Sequence, residues 1–171
     1  MAADAELVEH VSTAGEVIEV VTRAELRRRR LRHRCTYIVA VTTNRRVVVH
    51  RRAEWKDVFP GYWDLCFGGI CGVGESWERA AERELLEESG LAGDLVDLGP
   101  VAYEITAPTG PIIGRVFLLV TDAIPTCPDG EVVEVDSVPL DDLDGWLASR
   151  PVCPDSYAVV LPLLRGWYAF R

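Results

Sequence analysis

Alternation of apolar and polar residues recurs in short segments along the chain and predicts a fold rich in β-strands. The segments contain many Val, Ile and Leu residues, and turn-forming clusters such as Thr13-Ala14-Gly15 and Pro108-Thr109-Gly110 separate neighbouring ones. The first two segments are expected to form a hairpin. We predict strands at 7–11, 17–21, 35–42, 47–52, 95–105, 111–121 and 131–138.

Apolar residues at helical spacing, with capping residues beside them, predict helices between and after these strands. Thr22 and Glu25 form a capping box at the start of the first helix. Pro162 marks a kink or a boundary in the last apolar helical segment, because proline cannot donate a helical hydrogen bond. We predict helices at 23–31, 140–148 and 155–170.

A further helix follows a glycine-rich turn in the middle of the chain. Ser76 is a favourable N-cap for this helix, and Gly90 supplies a C-terminal stop. The turn contains Gly68, Gly69, Gly72 and Gly74. The expected buried side of the helix contains Trp77, Ala80, Ala81, Leu85 and Leu86.

Three carboxylates on this helix carry the main chemical signal of the sequence. Glu84, Glu87 and Glu88 are spaced i, i+3 and i+4, so their side chains lie on one helical face. Like charges in this arrangement repel one another unless a cation lies between them. A hard divalent ion such as Mg²⁺ binds one or two carboxylates together with water and substrate phosphates. Arg83 can hold a carboxylate such as Glu75 by a bidentate ion pair.

These residues resemble the Nudix box. Its pattern is G, five residues, E, seven residues, REU, one residue, EE, one residue and GU, where U is a bulky aliphatic residue. The matching positions are Gly69, Glu75, Arg83-Glu84-Leu85, Glu87-Glu88 and Gly90-Leu91. The resemblance implies a loop–helix–loop that binds Mg²⁺ or Mn²⁺ and a small-molecule diphosphate.

The resemblance also implies a fold and a division of the chain. The expected fold is a single Nudix-type α/β/α sandwich with a mixed β-sheet, covering residues 1–171. Its expected parts are an N-terminal hairpin and basic helix at 1–34, a core at 35–148 and a C-terminal helix at 149–171.

Roles for the box residues follow from the same resemblance. Glu84, Glu87 and Glu88 are expected to ligate the metal, and one of them can deprotonate the attacking water. Arg83 is expected to orient a carboxylate, with Glu75 as its partner. Gly69 is expected to supply a backbone oxygen or a close approach at the edge of the metal site, and Gly90 completes the box.

Four residues outside the box are further candidates for substrate or water contacts. Glu131 and Glu134 precede or begin a strand and are alternative bases, although each also suits a surface position. Arg51 and Arg52 are candidates for holding substrate phosphate. The alternative for the arginines is charge on an edge strand, which prevents association between sheets.

The expected reaction is Mg²⁺-dependent cleavage of the phosphoanhydride of a nucleoside diphosphate linked to another moiety, or of a related diphosphate. The segments HRCTYIVAV and RRAEWKDVFPGYWDLCFGG resemble the Nudix subgroup that includes isopentenyl-diphosphate isomerase. The catalytic Cys and a metal-binding His of that isomerase correspond here to Gly68 and Ile70, although His33 matches another of its histidine ligands. The isomerase is therefore one alternative function, and a non-catalytic nucleotide-binding Nudix domain is another.

The composition limits the binding partners and the cellular compartment that we expect. The chain has 171 residues and a net charge of −9, which disfavours binding to nucleic acid. Its five cysteines include no CxxC pair, so we expect reduced thiols and neither a disulfide framework nor a zinc site. We expect no signal peptide and no membrane span, and hence a cytoplasmic protein.

A basic run at 27–34 is the remaining feature of the N-terminal segment. We interpret it as a solvated helix face, with a role facing phosphate or an acidic partner as the alternative. The N-terminal hairpin and basic helix also form a candidate surface for a homodimer.

Overall fold

A six-stranded mixed β-sheet lies at the centre of the computed structural model, which describes residues 5–104 and 108–169. Its strands are β3 (His33–Val41), β4 (Arg46–Arg52), β5 (Trp63–Asp64), β6 (Leu95–Tyr103), β7 (Ile112–Val120) and β8 (Val132–Pro139). Five strands follow the order β5-β4-β3-β7-β6, and β8 pairs with β4. The β3–β7 pair is parallel and the other pairs are antiparallel, so the predicted mixed sheet is confirmed.

The predicted N-terminal hairpin is present and forms a separate two-stranded sheet of β1 (Leu7–Val11) and β2 (Val17–Thr22). Helix α1 (Arg23–Arg29) follows it directly, and the Thr22 hydroxyl accepts a hydrogen bond from the backbone N–H of Glu25 at 3.2 Å. The helix ends two residues before the predicted position, because Arg30 adopts a left-handed conformation with φ of 53°. Strand β3 begins at His33, two residues before the predicted start.

Alternating residues of β3 contribute side chains to two hydrophobic cores, one on each face of the sheet. Tyr37, Val39 and Val41 belong to one core, and Ile38 and Ala40 belong to the other. This is the period of two that a strand buried on both faces requires.

Helix α2 (Trp77–Ser89) contains the box residues and packs against the second core. Ala81 and Leu85 are fully buried in this contact. Leu86 was expected on the buried side, but its side chain is 55% exposed. The prediction is wrong because Leu86 lies about 100° around the helix from Leu85, on the face that points to solvent.

The opposite core is covered by the C-terminal helices. A 3₁₀ turn (Leu140–Asp142) leads into α3 (Leu143–Ala148), and a π-helical turn (Ser156–Val160) leads into α4 (Leu161–Ala169). Pro162 therefore lies next to a helix boundary, as predicted. The predicted ends at Ile105 and Phe170 fall outside the described residues.

Helices thus lie on both faces of the mixed sheet, which confirms the predicted α/β fold of the α/β/α type. Within residues 5–104 and 108–169, no helix has the length and hydrophobicity to span a membrane.

Candidate active site

A cavity of about 210 Å³ opens between α1, the glycine-rich loop and α2. Acidic and basic side chains line the cavity, and the aromatic rings of Tyr37, Phe59 and Tyr103 form part of its wall. The acidic lining residues of α2 are Glu84, Glu87 and Glu88. The basic lining residues are Arg23, Arg27, Arg52, Lys56 and Arg83.

Two glycines allow the backbone before α2 to approach its neighbours closely. Gly68 has a φ of 144°, and a Cβ there would collide with the carbonyl oxygen of Thr36. A Cβ at Gly69 would lie 2.7 Å from the carboxylate of Glu84. The carbonyl oxygen of Gly69 accepts a hydrogen bond from the backbone N–H of Thr36 at 3.0 Å. Gly69 therefore makes room for the Glu84 carboxylate, while its oxygen is already engaged in a backbone hydrogen bond.

The N-terminal hairpin supports the same loop. Glu9 of β1 is buried, and its carboxylate accepts a hydrogen bond from the backbone N–H of Gly74 at 2.8 Å. The same carboxylate pairs with Arg34 at 3.2 Å, and the Arg34 guanidinium stacks over the Trp77 ring at 4.2 Å. These contacts fix the start of α2 against β1 and β3.

Glu88 is a buried carboxyl group in the cavity wall. Its side chain is 6% exposed, and its Oε2 accepts a hydrogen bond from the backbone N–H of Gly68 at 2.9 Å. Burial, together with the negative charge of Glu84, raises the pKa of Glu88 to about 8, against the lowering effect of the Gly68 N–H. A nearby cation would therefore stabilise the ionised form of Glu88.

Arg83 organises the other acids of the box. Its Nε and Nη2 donate to the two carboxylate oxygens of Glu75 at 3.0 and 2.9 Å, which is a bidentate pair. Its Nη1 donates to Glu84 at 2.7 Å and to Glu87 at 3.2 Å. The guanidinium lowers the pKa of Glu75, whereas burial raises the pKa of Glu84 despite the same neighbour.

The four candidates outside the box separate into two groups. Arg52 and Glu131 line the cavity, where Glu131 forms an ion pair with Lys56. Arg51 and Glu134 pair with each other at 3.0 Å, and neither belongs to the cavity lining. Adjacent residues of β4 point to opposite faces of the sheet, which explains why Arg51 and Arg52 differ.

The described residues contain no preformed cluster of three His, Cys, Asp or Glu side chains around one metal position. Nη1 of Arg83 instead donates hydrogen bonds to Glu84 and Glu87. The donor set still fits a hard divalent ion, because it offers carboxylate oxygens, two of them on half-buried or buried acids with raised pKa values.

The family model described as NUDIX domain matches residues 31–156. The chain belongs to the NUDIX family. It is 35% identical over 155 residues to an uncharacterized Nudix hydrolase of Pseudomonas aeruginosa, with 91% of each chain covered. This membership confirms the prediction of an enzyme, a Nudix pyrophosphohydrolase.

Solved structures share the Nudix fold at low sequence identity. The crystal structure of DR0079 from Deinococcus radiodurans has a TM-score of 0.76 and 20% identity, covering 94% of this chain and 98% of that one. A bifunctional NMN adenylyltransferase/ADP ribose pyrophosphatase from Francisella tularensis, complexed with AMP and a Mn ion, has a TM-score of 0.60 and 18% identity. It covers 79% of this chain and 42% of that one. Both likenesses establish the fold.

Two residues of the Nudix cavity, Arg27 and Tyr103, were not assigned to it from the sequence. Arg27 was assigned to a solvated helix face, but it lines the cavity with its side chain 20% exposed. The signal that was available is the i, i+4 spacing from Arg23, on the same side as the buried Leu26. Tyr103 reaches the cavity from a distant strand, and the sequence offered no pattern that assigned it.

Both central histidines are buried and neutral. The Nδ1–H of His33 donates to the carbonyl oxygen of Leu31 at 2.9 Å, and burial lowers the pKa of His33 to about 4. His50 is also buried, with 2% of its surface exposed. Its ring stacks on Phe67 at 4.6 Å, and burial lowers its pKa to about 4.

Proposed function

We propose that this Nudix hydrolase uses Mg²⁺ or Mn²⁺ to cleave the phosphoanhydride of a nucleoside diphosphate linked to another moiety. One observation carries the proposal: Glu84 and Glu88 are acids of the cavity wall whose pKa values burial raises. Negative charge at such positions is unfavourable unless a cation is close. A divalent ion supplies that charge and recruits phosphate oxygens at the same time.

Glu84 and Glu88 would hold the ion, with the more exposed Glu87 as a third ligand. Arg83 stays anchored to Glu75 by two hydrogen bonds and releases only its Nη1 contacts. When bound, the ion neutralises charge on the phosphoryl oxygens and lowers the pKa of a coordinated water. Glu88 and Glu131 both line the cavity and are the candidates for removing the proton of the attacking water.

Charge and shape of the remaining wall support a nucleoside diphosphate derivative. Arg52 presents a guanidinium to the cavity, and its Nε donates to the carbonyl of Val58 at 3.1 Å. Phe59 and Tyr103 offer rings on which a base or a sugar can pack. The Francisella tularensis protein, an ADP ribose pyrophosphatase with AMP and Mn bound, supports the same substrate class and metal.

The resemblance to the isomerase subgroup does not support isomerase activity for this chain. Gly68 and Ile70 occupy the positions of the isomerase Cys and His. Cys66 and Cys71 lie nearby but are buried, and burial raises the pKa of both thiols, that of Cys71 to about 12. Buried neutral thiols are poor partners for proton transfer to a substrate carbon.

The proposal is tested by incubating the protein with ADP-ribose, nucleotide sugars, dinucleotides, coenzyme A derivatives and nucleoside triphosphates. Products are identified by mass spectrometry with Mg²⁺, with Mn²⁺ and with a chelator, in ¹⁸O-labelled water. We expect a nucleoside monophosphate and a second phosphorylated product, with one ¹⁸O incorporated and no turnover in chelator. The E82Q variant is a matched control, because Glu82 is an exposed acid on the same helix outside the cavity lining.

Two results would contradict the proposal. Absence of turnover with every compound and both metals would favour the non-catalytic nucleotide binder. Conversion of isopentenyl diphosphate into its allylic isomer, without release of phosphate, would favour the isomerase.

A further inference from the structure

Arg27 is an incompletely paired cation in the wall of the cavity. Within residues 5–104 and 108–169, its Nε and Nη1 are buried and have no hydrogen-bond partner. The acid near it is Asp57, whose Oδ2 lies 3.9 Å from Nε. Asp57 is 61% exposed, and a long ion pair to an exposed acid is weak.

The other cations of the lining have closer partners. Arg23 pairs with Glu6 at 3.2 Å, and Lys56 pairs with Glu131. Arg52 donates to a backbone carbonyl, and Arg83 holds the box acids. A buried donor without an acceptor destabilises a fold, so such a group in a cavity wall points to a ligand that supplies the acceptor.

The position of Arg27 separates it from the box. It lies on α1, which precedes the residues 31–156 that match the NUDIX domain. Its neighbours are His33, Asp57 and Arg23, whereas Glu84 and Glu88 are held by Arg83 and by the backbone of Gly68. Arg27 and the box acids line the same cavity, so a substrate whose diphosphate occupies the box can extend toward α1.

We infer that Arg27 binds a second anionic group of the substrate, a phosphate monoester or a carboxylate on the moiety beyond the diphosphate. This inference rests on the proposed function, because it assumes that the diphosphate occupies the box. Both groups are anions that a guanidinium recognises through charge-assisted hydrogen bonds. Arg27 would thus select among diphosphates that the box alone does not distinguish.

The test compares pairs of compounds that differ by one anionic group. Coenzyme A and dephospho-coenzyme A, and NADP and NAD, differ by a phosphate monoester. UDP-glucuronate and UDP-glucose differ by a carboxylate. For the wild-type protein we expect kcat/KM to favour the charged member of at least one pair by about tenfold or more.

The variant R27M removes the charge and keeps most of the aliphatic stem. It should lose this preference, so that kcat/KM for the charged member falls toward that for the neutral member. R28M is the matched control on the same helix, because the Arg28 side chain is 73% exposed. R27M should also unfold at the same temperature as the wild type or higher, since it removes buried donors that lack acceptors.

Equal loss of kcat/KM for both members of a pair would overturn the inference, because Arg27 would then serve the diphosphate or the fold. Equal rates for both members in the wild type would overturn it as well. Binding of the same pairs is measured by calorimetry in chelator, where no turnover is expected. A preference for the charged member that disappears in R27M would support the inference even if the proposed hydrolysis failed.

Discussion

Replacement of Glu88 by Gln should stabilise the metal-free protein and abolish its response to Mg²⁺. The raised pKa of Glu88 means that the folded state binds this proton more tightly than the unfolded chain does. Stability from this group is fully present below the unfolded value of 4.5 and is lost as the pH rises toward about 8. Each pH unit in that window costs about 1.4 kcal/mol, or roughly 3 kcal/mol by pH 7.

Glu88→Gln removes this titration and keeps an oxygen for the Gly68 N–H. At pH 7 in chelator, the variant should therefore unfold roughly 6–12 °C above the wild type, since 1 kcal/mol shifts the midpoint of a protein this size by about 2–4 °C. The difference should vanish near pH 4.5. Thermal unfolding followed by circular dichroism across this pH range is the assay.

Addition of Mg²⁺ should raise the midpoint of the wild type and leave that of the variant unchanged, because the variant has lost a ligand. Turnover should also be lost in the variant. A lower midpoint for Glu88→Gln at pH 7, or a difference between the two proteins that does not depend on pH, would contradict the stabilising effect of the Glu88 proton. Glu82→Gln, on an exposed part of the same helix, should behave as the wild type.

Four further substitutions test individual contacts of the site and the core. Gly69→Ala places a methyl group 2.7 Å from a box carboxylate, so turnover should fall while thermal unfolding changes little; full activity would contradict the close approach. Glu75→Gln breaks the bidentate pair with Arg83 and should weaken Mn²⁺ binding about 10–100-fold by calorimetry; unchanged affinity would show that this anchor is dispensable. Leu85→Ala should cost about 2–5 kcal/mol in urea unfolding, whereas Leu86→Ala should change stability by less than about 0.5 kcal/mol; similar losses would contradict the assigned helix face.

Local signals in the sequence were sufficient to predict the box helix and the N-terminal hairpin. Ser76 accepts a hydrogen bond from the backbone N–H of Arg79 at 3.3 Å, and Gly90 ends the helix with a φ of 71°. These caps depend on residues within one helical turn, so they can be predicted from the local sequence alone. The spacing of Arg83 from Glu75 likewise predicted the ion pair that the structure contains.

The composition of the cavity depends on contacts between distant parts of the chain, and most of it could not be predicted. Arg27 lines the cavity and lies 3.9 Å from Asp57, a residue of a loop 30 positions further along the chain. The hydroxyl of Ser156 donates to Asp64 across 92 positions of sequence, which draws the C-terminal segment to the same wall. His50 is buried because β4 pairs with β5 and β8 and its ring stacks on Phe67, which no period along the strand revealed.

The acids of α2 are proposed to hold a divalent cation in the cavity. The most direct measurement is anomalous diffraction at the manganese edge from crystals of the protein soaked in MnCl₂. We predict a single strong peak in coordination contact with the carboxylates of Glu84 and Glu88, with Nη1 of Arg83 displaced from Glu84. A soaked crystal with no peak there, and with Arg83 still bound to both Glu84 and Glu87, would contradict the account.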